Sequence, residues 1–383
     1  MDPAQLRQLA HQHRDAFVEA LEALVRHETP SGDTEGASAF VDCLQPLLEA
    51  DGWLVRREGA RSSEPAPVGD VLLARYGQGV PGPGTLLLCH YDTVHPRGSF
   101  GRPFELRDDV AAGPGVLDMK AGIVTALLAP RLLGAAGLSP AGPLTLLVTP
   151  DEEIGSRASR ALIEREARQH QRVLVLEPSR DDGALKVGRK GVAGYRITLH
   201  GRASHAGLAP HEGASALVEL AHLVLELVGL GDDEAGTTVT PTVARAGTAS
   251  NVVTERAELV VDVRVLNLAE AERVDAAVRG YALRDPRVRT EVEGGLNRPP
   301  MEPNTANQAL LERARQLAAA AGWTVGGSVV GGGSDGNYTS ALGVPTLDGL
   351  GSVGGGAHTS DEHVRVPETL DRLGLVAALL AEA

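Results

Sequence analysis

The stretch Leu86-Leu-Leu-Cys-His-Tyr-Asp-Thr-Val94 decides how the rest of the chain is read. Its apolar run follows Pro81-Gly-Pro-Gly84 and has the continuous hydrophobic character of a strand buried in a parallel sheet. It ends in a polar cluster, His90, Asp92 and His95, where an open α/β sheet places its ligands. His90 and Asp92 are two residues apart and project to the same side of a strand. That arrangement suits a metal-binding imidazole oriented by a carboxylate, and equally a satisfied hydrogen-bonded pair.

Upstream, Leu6, Leu9, Phe17, Leu21 and Leu24 recur at helical spacing over residues 4–27, and Phe40, Val41, Leu44 and Leu48 do so over 34–51. Strand-like runs follow at 53–57 and 70–76, and the central one is expected over 86–94. Downstream, the polar turn Gly113-Pro-Gly-Val-Leu-Asp-Met-Lys120 leads into an apolar helix over 121–133, then a strand over 144–148. A helix over 157–170 and a strand over 173–176 complete the alternation expected of a doubly wound, mostly parallel α/β sheet. The texture changes near residue 188. From 189 to 298 the expected order is strand (193–200), helix (214–230), strands (238–246 and 255–265), helix (270–281) and strand (287–293). Leu259, Val261, Val263 and Val265 alternate with polar residues, as in a half-exposed antiparallel sheet. We therefore expect a discontinuous domain, 1–188 and 299–383, interrupted by an inserted α+β domain, 189–298. The final section returns to helix (305–321), a Gly-rich stretch and a closing helix from Pro367.

With 383 residues, two domains are the natural expectation. A net charge of −14 excludes the broad basic face that a nucleic-acid partner requires. The two cysteines, Cys43 and Cys89, form no disulfide framework and predict thiols in a reducing compartment. No signal-peptide pattern and no run of 18 apolar residues is visible, so a soluble cytoplasmic protein is expected, with no membrane partner.

Acids or histidines close several strand-end segments: His90 and Asp92, Asp118, Glu152 and Glu153, Glu177, and later His358. Singly, each has an ordinary reading. Asp118 could cap a helix, Glu152 and Glu153 could serve a helix dipole, Glu177 could be a solvated strand end and His358 a loop histidine. Together they would converge on one crevice, where several carboxylates repel unless a cation compensates them. Two histidines with several carboxylates are a zinc-type donor set.

The motifs His90-Tyr-Asp-Thr-Val94, Gly115-Val-Leu-Asp-Met-Lys120, Asp151-Glu-Glu-Ile-Gly-Ser156, Glu177-Pro178, Arg202-Ala-Ser-His-Ala-Gly207, Gly331-Gly-Gly-Ser-Asp335 and His358 follow one another across nearly the whole chain. In these the sequence resembles the dinuclear zinc exopeptidases and deacylases, the family of glutamate carboxypeptidase, succinyl-diaminopimelate desuccinylase, acetylornithine deacetylase and aminoacylase. The resemblance implies two zinc ions per subunit, with cobalt or manganese as alternatives. His90, Asp118 and Glu177 would hold one ion, and Asp118, Glu153 and His358 the other. It further implies a cis Asp118–Met119 peptide, Asp92 orienting His90, and Glu152 as general base. It makes the inserted domain a dimerisation or lid domain, so a homodimer is expected.

On the substrate side the resemblance implies His205, by itself an ordinary structural histidine after a strand, as an oxyanion donor delivered from the partner subunit, and Asn251 reaching towards the substrate. Arg264, whose residue-level reading is a solvated salt bridge, would support the site. Arg298, before Pro299, would bind the carboxylate of a C-terminal glutamate, as a guanidinium fork suits. The loop containing Gly333 would sit beside that carboxylate, although glycine-rich loops are also plain turns. The expected substrate is a small peptide or N-acyl amino acid with a free carboxylate. Ala121, in place of the family's usual glycine, and the Gly-Ala-His-Thr-Ser-Asp-Glu362 context leave the acyl group open. A deacylase or dipeptidase is the alternative, and a catalytically silent binding protein a distant one.

Overall fold

The computed structural model describes residues 1–59 and 68–382. The chain divides into two compact units: Met1–Gly188 with Pro303–Val329 and Ser334–Ala383, and Arg189–Glu302 with Val330–Gly333. The second unit takes more chain than the 189–298 expected. Arg189 and Met301 exchange backbone hydrogen bonds of 2.9 and 3.0 Å, and Lys190 N–H donates to Val330 O at 2.9 Å. Pro299–Glu302 and Val330–Gly333 are thereby stitched to the second unit.

In the first unit a six-stranded sheet runs in the order Leu54–Gly59, Asp70–Tyr76, Leu144–Thr149, Thr85–His90, Arg172–Val175 and Thr346–Leu347. The inner pairs Thr85–His90 with Leu144–Thr149 and with Arg172–Val175 are parallel, as is Arg172–Val175 with Thr346–Leu347. The two strands at one edge join antiparallel. Every residue of Thr85–His90 and of Leu144–Thr149 is buried, which is why both read as uninterrupted apolar runs. The helix Ala121–Ala135 is buried from Ala121 to Pro130, and a β-carbon added at Gly122 would lie 2.0 Å from the Leu176 carbonyl oxygen. Glycine there lets the helix meet the strand-end backbone directly.

Three departures from the sequence reading have identifiable hydrogen-bond causes. The N-terminal helix is two helices, Pro3–Gln12 and Arg14–Val25, broken where the His13 ring takes the Leu9 carbonyl at 2.8 Å. The strand expected to run to Val94 ends at His90, because the next residues turn to pair with 29–31: Thr93 N–H donates to Thr29 O at 2.8 Å and Ser31 N–H to Thr93 O at 3.1 Å. The helix expected over 157–170 shortens to Arg160–Ala167, since Ala158 N–H and the Ser159 hydroxyl are engaged by Asp151 at 2.8 and 2.5 Å.

The second unit carries a four-stranded antiparallel sheet, ordered Thr238–Ala246, Arg256–Val265, Gly191–His200 and Arg289–Arg298. Leu259, Val261, Val263 and Val265 are all buried, against helices Ala216–Val228 and Leu268–Arg279. Ser215 and Asn267 cap those helices through bonds from Val218 N–H and Glu270 N–H. The last strand runs on to Arg298, with a shift of register between Leu296 and Arg298. Among the described residues no helix is long and apolar enough to cross a membrane.

Candidate metal centre

Three neighbouring strands of the first unit deliver acids or imidazoles at their C-terminal ends. Thr85–His90 ends on His90, Leu144–Thr149 leads into the single turn Glu152–Ile154, and Arg172–Val175 leads to Glu177. Asp118 arrives from the 113–120 turn, whose Asp118–Met119 peptide is cis. His358 arrives from the loop before the closing strand and helix, with a φ of 64° that residues bearing a β-carbon seldom adopt. His90, Asp118 and Glu177 bring one donor atom each within 4.8 Å of one another, and so do Asp118, Glu153 and His358. Asp118 belongs to both groups. Its Oδ1 lies 3.1 Å from His90 Nε2, and its Oδ2 lies 3.4 Å from His358 Nε2. His90 Nε2 is 3.4 Å from Glu177 Oε1, and His358 Nε2 is 3.3 Å from Glu153 Oε2.

These spacings fit a divalent cation within each group. Ligand atoms bound about 2.0–2.2 Å from a tetrahedral zinc stand roughly 3.3–3.6 Å apart. His90 Nδ1 is 3.0 Å from the Asp92 carbonyl oxygen, a contact that calls for N–H at Nδ1 and leaves the Nε2 lone pair facing two carboxylates. Either a second proton or a cation must lie between them. The electrostatics state the same demand. Burial works against charge on His90, but Asp118, Asp92 and Glu177 hold its pKa well above the usual imidazole range. His358 is pushed up to about 10 by Asp118 and Glu153. Burial raises Glu153, whereas at Asp118 the two imidazoles outweigh burial and hold the carboxyl well below its ordinary range.

Buried polar groups fix the loops that carry these ligands. Asp92 accepts N–H from Glu152 at 3.0 Å and Glu153 at 3.1 Å, and O–H from Ser31 at 2.7 Å. The Asp92 carboxylate therefore fixes the backbone of the two adjacent glutamates, whereas His90 Nδ1 meets the Asp92 backbone carbonyl at 3.0 Å with the carboxylate further off at 3.4 Å. Three residues that the sequence reading left without a role take part. Glu362 receives N–H groups from Gly115, Leu117 and Asp118. Asp335 accepts the hydroxyls of Ser156 and, at 3.1 Å, Thr149. Lys120, fully buried, donates to the His27 and Pro114 carbonyls at 2.8 and 3.1 Å, and its burial lowers its pKa to about 7. Glu362, four residues after His358, and Asp335, at the end of the Gly-rich motif, were visible as motif residues only; their partners are backbone N–H groups, hydroxyls and, for Glu362, the distant His95 ring, a pairing that no pattern displays.

His205, Asn251, Arg264, Arg298 and Gly333 all lie in the second unit. His205 is exposed, and its Nδ1 accepts N–H from Gly207 and Leu208, both at 3.1 Å, so the proton of the neutral ring sits on Nε2. Asn251 is its neighbour: Asn251 O accepts Ala206 N–H at 2.9 Å. The fork of Arg264 is filled by Asp262, at 2.9 and 3.0 Å, as a strand salt bridge would have it. Arg298 is buried at the end of its strand, and a β-carbon on Gly333 would stand 3.3 Å from Arg298 Cδ, so these two positions are adjacent.

Residues 86–382 match the model of peptidase family M20/M25/M40. The chain is 34% identical to carboxypeptidase G2 of Pseudomonas sp. (strain RS-16), over 98% of this chain and 91% of that one. It is 31% identical to a succinyl-diaminopimelate desuccinylase of Xanthomonas oryzae pv. oryzae, over 78% and 83%. Its fold is that of aminopeptidase PepT from Bacillus cereus, with a TM-score of 0.79 at 23% identity over 96% of this chain and 98% of that one. An M20 metallo-carboxypeptidase from Sulfolobus solfataricus shares the fold as well, with a TM-score of 0.71 at 15% identity over 95% and 98%. The chain belongs to peptidase family M20/M25/M40 and is a metal-dependent hydrolase of amide bonds.

Proposed function

We propose that the protein is a homodimeric, dizinc exopeptidase that releases a C-terminal amino acid, glutamate, from a peptidyl or N-acyl group. The observation that carries this reading is Asp118, whose two carboxylate oxygens face two different imidazoles. His90, Asp118 and Glu177 would hold one ion, and Asp118, Glu153 and His358 the other; cobalt or manganese suits the same donors. When bound, such a pair acidifies a water and polarises the scissile carbonyl.

The residues of the chain then have distinct tasks. Glu152 takes a proton from the attacking water and returns it to the amine nitrogen as the C–N bond breaks. Asp92 holds the backbone of Glu152 and Glu153, so one side chain serves the metal and its neighbour the water. His205 donates from Nε2 to the oxygen that becomes negative, acting on the site of the partner subunit, with Asn251 beside it. Arg298 binds the substrate carboxylate with its fork, and the Gly333 backbone lies alongside. Arg264 supports this region through its pairing with Asp262.

The dimer reading draws on the outer face of helix Ala216–Val228, where Leu217, Val218, Leu225 and Val228 are exposed, and on Thr238–Ala246 at the sheet edge. Cys43 and Cys89 are unpaired, which suits a reducing cytoplasm. Full-length similarity to a carboxypeptidase favours release of a C-terminal residue. Similarity to desuccinylases favours a second reading, deacylation of a small N-acyl amino acid.

Hydrolysis of a panel by zinc-loaded protein separates the two: benzoyl-glutamate, Xaa-Glu dipeptides, N-acetyl-ornithine and N-succinyl-diaminopimelate. Preference for C-terminal glutamate supports the first reading. Turnover confined to the acetyl or succinyl compounds moves the protein to the second.

A further inference from the structure

We infer that Glu362 is a positioning residue for the metal centre, holding the shared ligand Asp118 and the His358 segment in one register. The inference rests on the two-ion reading above. Glu362 is 1% exposed. Its Oε1 accepts N–H from Leu117 at 2.8 Å and from Asp118 at 2.9 Å. Its Oε2 accepts N–H from Gly115 at 3.1 Å and from His95 Nε2 at 2.6 Å. Four donors saturate the roughly four lone-pair sites of a carboxylate. Three of the four belong to the single turn that presents Asp118.

That turn is curled for the purpose. Gly115 has a φ of 70°, and a β-carbon there would stand 2.5 Å from Thr93 Cγ2, so only glycine lets its N–H converge with the next ones on one anion. Glu362 itself is anchored at the start of a strand, His363–Arg365, paired on both sides with Gly354–Gly355 and Val110–Ala112. His95 is held edge-on against Phe100, with ring centroids 5.2 Å apart. The peptide of Asp118 is therefore fixed by a rigid carboxylate four residues from His358. One short segment supplies a ligand at one end and the brace for the shared ligand at the other.

In Glu362→Gln one oxygen survives and an NH₂ group replaces the other, turning at least one acceptor contact into donor against donor, so the metal-free variant should melt a few degrees lower than wild type. The control is Ser352→Ala. It removes the 2.8 Å bond from the Ser352 hydroxyl to Leu117 O on the same turn but leaves Asp118 N–H untouched.

The test is titration of the metal-free full-length chain with Zn²⁺ against a chromophoric chelator, and with Co²⁺ followed by its visible absorption. The wild type should take up two ions. Glu362→Gln should bind 10–100-fold more weakly with an altered cobalt spectrum, while the metal-free variant remains folded at the temperature of the titration, as its circular dichroism shows. Ser352→Ala should bind as wild type does. Unchanged zinc affinity in Glu362→Gln, or an equal loss in Ser352→Ala, would overturn the inference alone. A wild type that takes up no metal overturns the two-ion reading itself. Should Glu362→Gln fail to fold, His95→Phe removes one donor and should show a smaller loss in the same direction; no loss there is equally fatal.

Discussion

Glu152 and Glu153 are chemically identical neighbours with different surroundings. Asp92 pins the backbone of both, but the Glu153 side chain lies against His358 and within reach of Asp118, while Glu152 belongs to neither donor group. Glu152→Gln keeps shape and backbone contact but cannot accept a proton. Its kcat should fall by about 10²–10⁴-fold, with both metals retained on dialysis and the KM little changed. Loss of metal in that variant would assign Glu152 to coordination instead. At this scale the members of the two donor groups were legible because metal chemistry demands particular residue types: imidazoles, and carboxylates placed to face them. The braces were not. Apart from the His95 ring on Glu362, the partners of Glu362, Asp335 and Lys120 are peptide groups and hydroxyls, and a carboxylate that serves N–H groups looks in sequence like any other acid.

Among the elements, strand and helix positions followed from periodicity, and their ends did not. His90 ends its strand because residues 91–93 find partners at 29–31, far away in the chain. The four-residue Glu302-side extension of the second unit likewise depends on Arg189 meeting Met301. A similar long-range device secures the helix pair of the second unit. Glu219, on helix Ala216–Val228, accepts the Tyr281 hydroxyl at 2.8 Å and the N–H groups of Arg284 and Asp285 at 3.0 and 3.2 Å. Burial raises its pKa, but these bonds outweigh it and hold the carboxyl below its ordinary 4.5. A depressed carboxyl pKa contributes stability that is complete above the unfolded value and is lost as pH falls through the folded one. Glu219→Gln should therefore cost about 1–2 kcal/mol at pH 7, read as faster amide exchange over residues 281–285. The difference from wild type should shrink below about pH 4.

For the whole molecule, the question is whether His205 serves its own subunit or the other. Equal mixing of Glu152→Ala and His205→Ala subunits answers it, each variant being inert alone. If His205 acts across a dimer, half the dimers are mixed and each holds one intact site, so about a quarter of wild-type activity should return. No recovery on verified subunit exchange would place His205 on its own subunit's substrate. Leu225→Glu, on the exposed helix face, should give monomers by sedimentation and lose activity with them.

Both donor groups lie in the first unit, whereas every residue assigned to the substrate lies in the second. On these assignments selectivity resides in the second unit, which also carries one group of the chemistry, His205, that any exchanged segment has to retain. Replacing residues 189–302 and 330–333 by the matching segments of a desuccinylase relative should redirect the preferred substrate while the chimera still takes up metal with wild-type affinity.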